Sequence, residues 1–415
     1  MKVLVSAYAC NPKQGSEEAV GWNWVRLLAV DHEVTVLTAD FHRGDIEEHG
    51  APANVRFVYV PQRWWHYAPT SAWRKIEGSI AKPLMNLAYA HWQRDAERIA
   101  RRLHLRDPFD LAHQLTYVGF RFPGGLWKLG IPFVWGPIGG IENTSWRLLG
   151  AMGAGGSIYY GGRNLINSIQ RLFLHKPTLA ARAAGQGVIA ATTNVGRMMR
   201  RYYAIEASVI SEVTIPHDLP FPRFLERKTA EPLRLVWSGQ HLSGKALNIG
   251  LDALYHVHEM GIDFTLHILG GGPKTSAWQK QASILGISKK CVWHGNIARV
   301  DAFEIMSNSH CILITSLKDL TSTVLVEALA LGLPVICPSH CGFPEALGSD
   351  AGILAPVNSV EALTMGIACG VAQLAMDEPL RQKMAKAAAA RAYLFSFDYK
   401  LKQLRAIYDA KMDAV

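Results

Sequence analysis

The stretch from Cys311 to Gly342 restricts the fold of this chain more than any other. An apolar, β-branched run at Cys311 to Ser316 leads into a polar loop at Leu317 to Thr323. An apolar run of helical length follows, ended by Gly332, and then a second short apolar run at Pro334 to Cys337. That order predicts one βαβ unit, and a βαβ unit demands a parallel sheet with helices packed on its faces.

Glu327 is the one charge in the predicted helix. An ionised carboxylate on a buried helix is strongly disfavoured unless something hydrogen-bonds to it. Two kinds of partner meet the need: an Arg or a backbone amide from inside the fold, or the hydroxyls of a ligand. Asp319 stands eight positions earlier, either as a solvated loop residue or as a ligand group, because its loop opens at the carboxyl end of a strand, where open parallel sheets hold ligands. Thr321, Ser322 and Thr323 are N-cap candidates, so free backbone N–H groups and the positive end of the helix dipole point into the same crevice. Carboxylates accept hydrogen bonds from vicinal hydroxyls, and a helix N-terminus accommodates phosphate. A nucleotide-sugar presents both.

The rest of the chain repeats the alternation. Strand-like runs at Lys2 to Ala9, His32 to Ala39, Val55 to Pro61, Asp110 to Thr116, Pro132 to Gly136 and Gly187 to Thr193 are separated by helical patterns. Further runs at Leu233 to Trp237, Phe264 to Leu269 and Val292 to Asn296 precede the central unit. The fold class is therefore α/β with doubly wound parallel sheets, and 415 residues suit two domains rather than one core. Three prolines at 216 to 222 and the charged run after them stop both helix and strand, which marks a linker. The expected division is 1–215, a linker at 216–232, a second domain at 233–395 and a C-terminal helix at 396–415 that packs back on the first domain.

The first strand runs into Cys10-Asn-Pro-Lys-Gln-Gly-Ser-Glu. Gly15 and Ser16 let backbone approach a ligand there, beside the N-terminus of the next predicted helix. His113 sits at the carboxyl end of another predicted strand, so its ring is expected to face the crevice between the domains, as a functional group or as a satisfied structural one. In the second domain, Gly239-x4-Gly244-Lys245 comes within one residue of a Walker A loop. Ala246 takes the place of the hydroxyl that would hold magnesium, which argues against a nucleoside triphosphatase and leaves a lysine loop suited to diphosphate without a metal. Glu142 either orients an acceptor or caps a helix, and the glycine-rich segment from Trp146 to Pro177 reads as an acceptor-side insertion.

Net charge is +9, which calls for an acidic partner without choosing it. Residues 62 to 106 are basic and aromatic, fitting an anionic membrane surface, a solvated helix with aromatic core contacts, or single-stranded nucleic acid. No nucleic-acid motif accompanies them, so no nucleic acid is expected. Six sparse cysteines read as free thiols of a reducing compartment, and Cys337, His340 and Cys341 lack a fourth partner at zinc spacing, so no metal site is expected. The N-terminal apolar run is short for a signal peptide, and no run reaches spanning length, which together suggest a cytoplasmic protein, peripheral at most on the inner face of the membrane.

The pattern Asp319-x7-Glu327, followed by Ala328-Leu-Ala-Leu-Gly-Leu-Pro-Val-Ile336, resembles the E-x7-E signature of family 4 retaining glycosyltransferases. The resemblance is dense in the second domain and looser in the first. It implies the GT-B fold, with two Rossmann-like domains facing across a cleft, and sugar transfer from a nucleoside-diphosphate sugar to a glycan or lipid-linked hydroxyl acceptor, with no metal and no other cofactor. It implies that Asp319 binds the transferred sugar and Glu327 the ribose, and that Gly239 and Lys245 fall on a phosphate clamp in which Gln240 replaces the usual Arg. It further implies that Gly15 and Ser16 face the donor phosphates and that His113 contacts the sugar. Asp stands in the first acidic place, and Leu320-Thr321-Ser322 replaces a Gly-Phe-Gly-like turn. The rival expectations are a P-loop-like triphosphatase and a non-catalytic sugar- or lipid-binding protein of the same fold.

Overall fold

The computed structural model describes residues 1–62, 81–117, 119–216, 218–228 and 231–414. Trp64, Trp65, Tyr67, Trp73, Arg74, Lys75 and Glu77 of the basic aromatic segment, and linker positions 217, 229 and 230, lie outside the described residues.

The chain forms two compact units. The first takes Met1–Asn143, Leu165–Thr214 and Phe397–Val415. Its sheet has strands β1 (Lys2–Ala7), β2 (Glu33–Ala39), β3 (Val55–Val60), β4 (Leu111–Thr116), β5 (Phe133–Ile138), β6 (Val188–Ala190) and β7 (Ser208–Val209) in the order β3-β2-β1-β4-β5-β6-β7. Every pairing is parallel. Helices cover both faces, so β4 and β5 are buried along their whole length; β5 reads as a continuous apolar run, whereas β4 buries His113, Gln114 and Thr116 among its apolar residues. β7, two residues long and half polar, carries no periodicity from which it could be read.

The second unit takes Thr144–Asn164 and Ile215–Ser396. Its strands β8 (Leu233–Ser238), β9 (Phe264–Leu269), β10 (Cys291–Gly295), β11 (Cys311–Leu313), β12 (Val335–Pro338) and β13 (Gly352–Ala355) lie in the order β10-β9-β8-β11-β12-β13. All are parallel. The central βαβ unit is β11, the helix Thr323–Ala330 and β12, and Gly332 leaves that helix at φ +70°, where its missing side chain avoids Phe224 and Pro222.

One boundary differs from expectation. Residues 144 to 164 belong to the second unit, because Leu148, Leu149, Met152 and Tyr160 pack into the core formed by Trp237, Leu247 and Leu251. Apolar contact, not position in the chain, decides where the insertion resides. The basic aromatic segment also resolves in part. Its described helix, Ala81–Arg106, buries Ala88, Tyr89, Trp92, Ala96 and Ala100 and leaves Arg94, Arg98, Arg101 and Arg102 exposed. Over these residues the aromatic rings contact the core and the arginines stand on the exposed face, an arrangement common to the solvated-face and membrane-surface readings. No single helix among the described residues is long and apolar enough to cross a membrane.

Candidate functional site

In the second sheet the strand order reverses between β8 and β11. Connections leave the carboxyl ends of these two strands in opposite directions, which opens a crevice there. Most of the candidate residues converge on the loops that follow those two strands.

After β8 the chain passes Gly239, turns at Gln240 to Leu242, and makes the short 3-10 turn Ser243–Lys245. The turn is pinned from below: Thr315 Oγ1 donates to the Lys245 carbonyl at 2.7 Å and accepts from Trp237 Nε1 at 2.9 Å. The Leu317 N–H donates to the Gly244 carbonyl at 2.8 Å. Gly244 carries no side chain because the Tyr160 hydroxyl would stand 2.6 Å from its Cβ. The loops after β8 and β9 also touch back to back, and a Cβ on Gly270, at φ +107°, would meet the Gly239 carbonyl at 2.1 Å. Glycine is required at Gly270, where a backbone carbonyl cannot yield, while a side chain at Gly244 would have to displace the Tyr160 ring.

Held in this way, Lys245 Nζ donates to Asp319 Oδ2 at 2.6 Å. The two side chains are 29% and 18% exposed, so the pair is near water and its charges are within reach of a ligand. Asp319 Oδ1 accepts from the Leu320 N–H. Thr321 and Ser322 are buried, and Ser322 stands at the N-cap of the helix Thr323–Ala330 with φ +74° and ψ 117°. Its side chain caps nothing there, which leaves the first N–H groups of the helix without a cap from that hydroxyl. A serine in this region of backbone space is strained, and glycine reaches it without that cost.

Glu327 lies one turn into the same helix and is buried. Of the two partners its sequence allowed, the structure displays the internal one. Arg299 Nη2 donates to Glu327 Oε1 at 3.2 Å, and Arg299 Nε lies 3.7 Å from Asp218 Oδ2. Burial pushes the Glu327 carboxyl up to about 7; Arg299 draws it down and Asp218 pushes it up. One moderately long ion pair therefore offsets only part of the desolvation, and the carboxylate keeps capacity to accept further hydrogen bonds.

His241, beside Gln240 in the lysine loop, is buried among Trp237, Trp278 and Trp293, with Nδ1 at 2.7 Å from Thr275 Oγ1. Desolvation lowers its pKa. It braces the loop rather than adding charge where the usual Arg is missing.

The structure thus brings together Gly239, Lys245, Asp319, Thr321, Ser322, Thr323 and Glu327. Gly15, Ser16 and His113 belong to the first unit. Ser16 opens the helix Glu17–Ala29 at φ +60°, and open space surrounds Gly15. His113 is a correction. It lies in the middle of β4, not at its end, and is fully buried. Its Nε2–H donates to the Gly136 carbonyl at 2.8 Å, so Nδ1 is the acceptor from the Tyr408 hydroxyl, also at 2.8 Å. Burial lowers its pKa to about 4. The ring is neutral and satisfied, and faces no crevice. Glu142 is buried and accepts from Asn194 Nδ2, near the start of the helix Thr193–Tyr203.

Sequence reasoning missed Arg299, Asp218, Thr315 and Tyr160. The first residue of a helix 28 positions from its acid carries no local sign of the pairing. No three His, Cys, Asp or Glu side chains among the described residues group as metal ligands.

Residues 223–391 match the family model described as glycosyl transferases group 1. Escherichia coli WcaL, named for colanic acid biosynthesis glycosyltransferase activity, is 25% identical over 194 residues, 44% of this chain and 46% of that protein. The N-acetyl-alpha-D-glucosaminyl L-malate synthase of Bacillus anthracis is 30% identical over 149 residues, 35% of this chain and 38% of that protein. The chain thus spans less than half the length of these curated relatives. Sucrose-phosphate synthase of Thermosynechococcus elongatus superposes with a TM-score of 0.64 at 15% identity over 100% of both chains. Anabaena HepE in complex with UDP does so with a TM-score of 0.61 at 15% identity over 99% of this chain and 100% of that one.

Proposed function

We propose that this chain, which belongs to the group 1 glycosyl transferases through residues 223–391 and has the GT-B fold, moves a sugar from a nucleoside-diphosphate sugar to a hydroxyl acceptor with retention at the anomeric carbon and without a metal. The observation that carries the reading is the Lys245–Asp319 pair at the β8/β11 reversal, beside the N-terminus that holds Ser322 and one turn from Glu327. Anabaena HepE, a neighbour in fold, was solved with UDP and with UDP-glucose, which supports a nucleotide donor.

In this reading the donor diphosphate draws Lys245 away from Asp319. Lys245 and the helix N-terminus then neutralise the departing nucleoside diphosphate, the electrostatic task that magnesium performs in other enzymes. Released from the lysine, Asp319 accepts from a hydroxyl of the transferred sugar, and Glu327 accepts from the ribose while Arg299 draws it toward its charged form. The bond from the anomeric carbon to the phosphate oxygen breaks as the acceptor oxygen bonds to the same face, and the acceptor's proton passes to the leaving phosphate oxygen. A glycan or lipid-linked glycan of surface polysaccharide synthesis is the acceptor class proposed, in keeping with the name of the Escherichia coli relative.

The test is a panel of sugar nucleotides, scored first for thermal stabilisation and then for hydrolysis and transfer in the presence of EDTA. Stabilisation by one donor with turnover that survives chelation supports the reading. Magnesium-dependent release of phosphate from a triphosphate would replace it with the P-loop alternative, and binding with no turnover on any acceptor would leave a binding protein.

A further inference from the structure

An amphipathic helix on a folded unit ordinarily turns its apolar stripe to the core. The first unit's part of the helix Gly153–Phe173 does the reverse. Leu165, Ile166, Ile169, Leu172 and Phe173 are 60%, 55%, 50%, 68% and 70% exposed. At about 100° per residue these five fall within an arc of about 120°. The polar residues of the same turns point inward. Asn167 is buried and donates to the carbonyls of Ile141 and Glu142 at 3.0 and 3.1 Å. Arg171 is buried, donates to the Ile141 carbonyl at 3.2 Å and to Ser168 Oγ at 2.8 Å, and lies over the Tyr202 ring. Rotating the helix to bury its leucines would strip these groups of their partners and leave buried carbonyls unpaired. The apolar stripe is held outward by specific hydrogen bonds.

Charge selects what covers it. No Asp or Glu stands between Glu142 and Glu206; of the first unit's cations in that stretch Arg171 is buried and Arg200 pairs with Glu206, while Arg197 and Arg201 are exposed. Lys176 and Arg182 are exposed on the helix that follows, His175–Ala184, as is Leu179. A second copy of the chain would set like charges against each other. A bilayer containing anionic phospholipid supplies hydrocarbon for the stripe and phosphate for the cations. We propose that this face seats the first unit in the interface of such a bilayer.

The test is co-sedimentation of the full chain with vesicles of phosphatidylcholine alone, or of phosphatidylcholine and phosphatidylglycerol in equal parts. The protein should pellet with the anionic vesicles and be released by salt. Ile169→Asp with Phe173→Asp, both at exposed sites, should lower the bound fraction at fixed lipid roughly tenfold or more. Lys176→Ser with Arg182→Ser should lower it several-fold for each charge removed, and unchanged circular dichroism would confirm that both variants are folded. Three results would overturn the proposal: wild type that stays in solution with anionic vesicles, an aspartate variant that binds as well as wild type, or sedimentation velocity showing a dimer that Phe173→Asp dissolves. The vesicle assay needs neither donor nor acceptor, so it succeeds or fails independently of glycosyl transfer.

Discussion

Replacing Glu327 by Gln separates what this carboxylate does to the fold from what it does for a ligand. Burial lifts its pKa from 4.5 to about 7 despite Arg299 at 3.2 Å. At about 1.4 kcal/mol per pKa unit, that rise corresponds to about 3 kcal/mol. The folded chain holds the proton more tightly than the unfolded one. Wild type therefore keeps its full stability below the unfolded pKa and loses it as pH rises through the window from 4.5 to about 7. Gln has no charge to desolvate. The variant freed of this penalty should gain on wild type by about 3 kcal/mol between about pH 4 and about pH 8, reduced a little by the lost contact to Arg299, whose side chain is 47% exposed and readily solvated. Urea unfolding of the two proteins side by side over that range reads the difference directly. Parallel pH profiles would refute the reasoning, because Glu327 would then not be a desolvated acid. The same variant should bind a nucleoside diphosphate roughly tenfold more weakly, since an amide oxygen accepts less strongly than a carboxylate. A stability gain with unchanged nucleotide affinity would leave Glu327 a structural acid held by Arg299.

Lys245→Ala should lower kcat/KM with the cognate donor roughly 100-fold while changing stability by less than about 1 kcal/mol, because its pair with Asp319 is partly solvated; steady-state kinetics beside thermal melts would check both. Asp319→Asn should slow transfer yet leave nucleoside-diphosphate affinity within about twofold, and equal loss of both in calorimetry and kinetics would be the wrong pattern. Ser322→Gly should stabilise the chain by about 1 kcal/mol without loss of activity, by relieving the strained backbone at φ +74°; a variant less stable in denaturant titration would contradict that. His113→Phe should destabilise by about 2 to 4 kcal/mol, leaving the Gly136 carbonyl and Tyr408 hydroxyl unpartnered. Because burial lowers the His113 pKa from 6.5 to about 4, wild type loses about 3 kcal/mol as pH falls through that window. The variant should lack this acid sensitivity.

The two parallel sheets were legible in the sequence because strand and helix differ in period, and period is local. Cys311–Leu313, the apolar helix behind Ser322, Gly332 and Val335–Pro338 lie within one short stretch, where β-branched residues, apolar spacing and glycine act on their immediate neighbours. The lone charge of Glu327 and the glycine-lysine loop were legible for the same reason: each is an exception to its own surroundings.

What the sequence could not supply were partners. Lys245 finds Asp319 across 74 positions, Glu327 finds Arg299 across 28 and His113 finds Tyr408 across 295. None of these meetings leaves a trace in local periodicity. The tertiary structure alone made His113 a satisfied buried group, gave residues 144–164 to the second unit, and turned Leu165, Ile169 and Phe173 outward. The sequence determines that a helix has an apolar face. Which face is buried depends on the carbonyls waiting at Ile141 and Glu142, because a buried carbonyl without a donor is disfavoured more than an exposed leucine is.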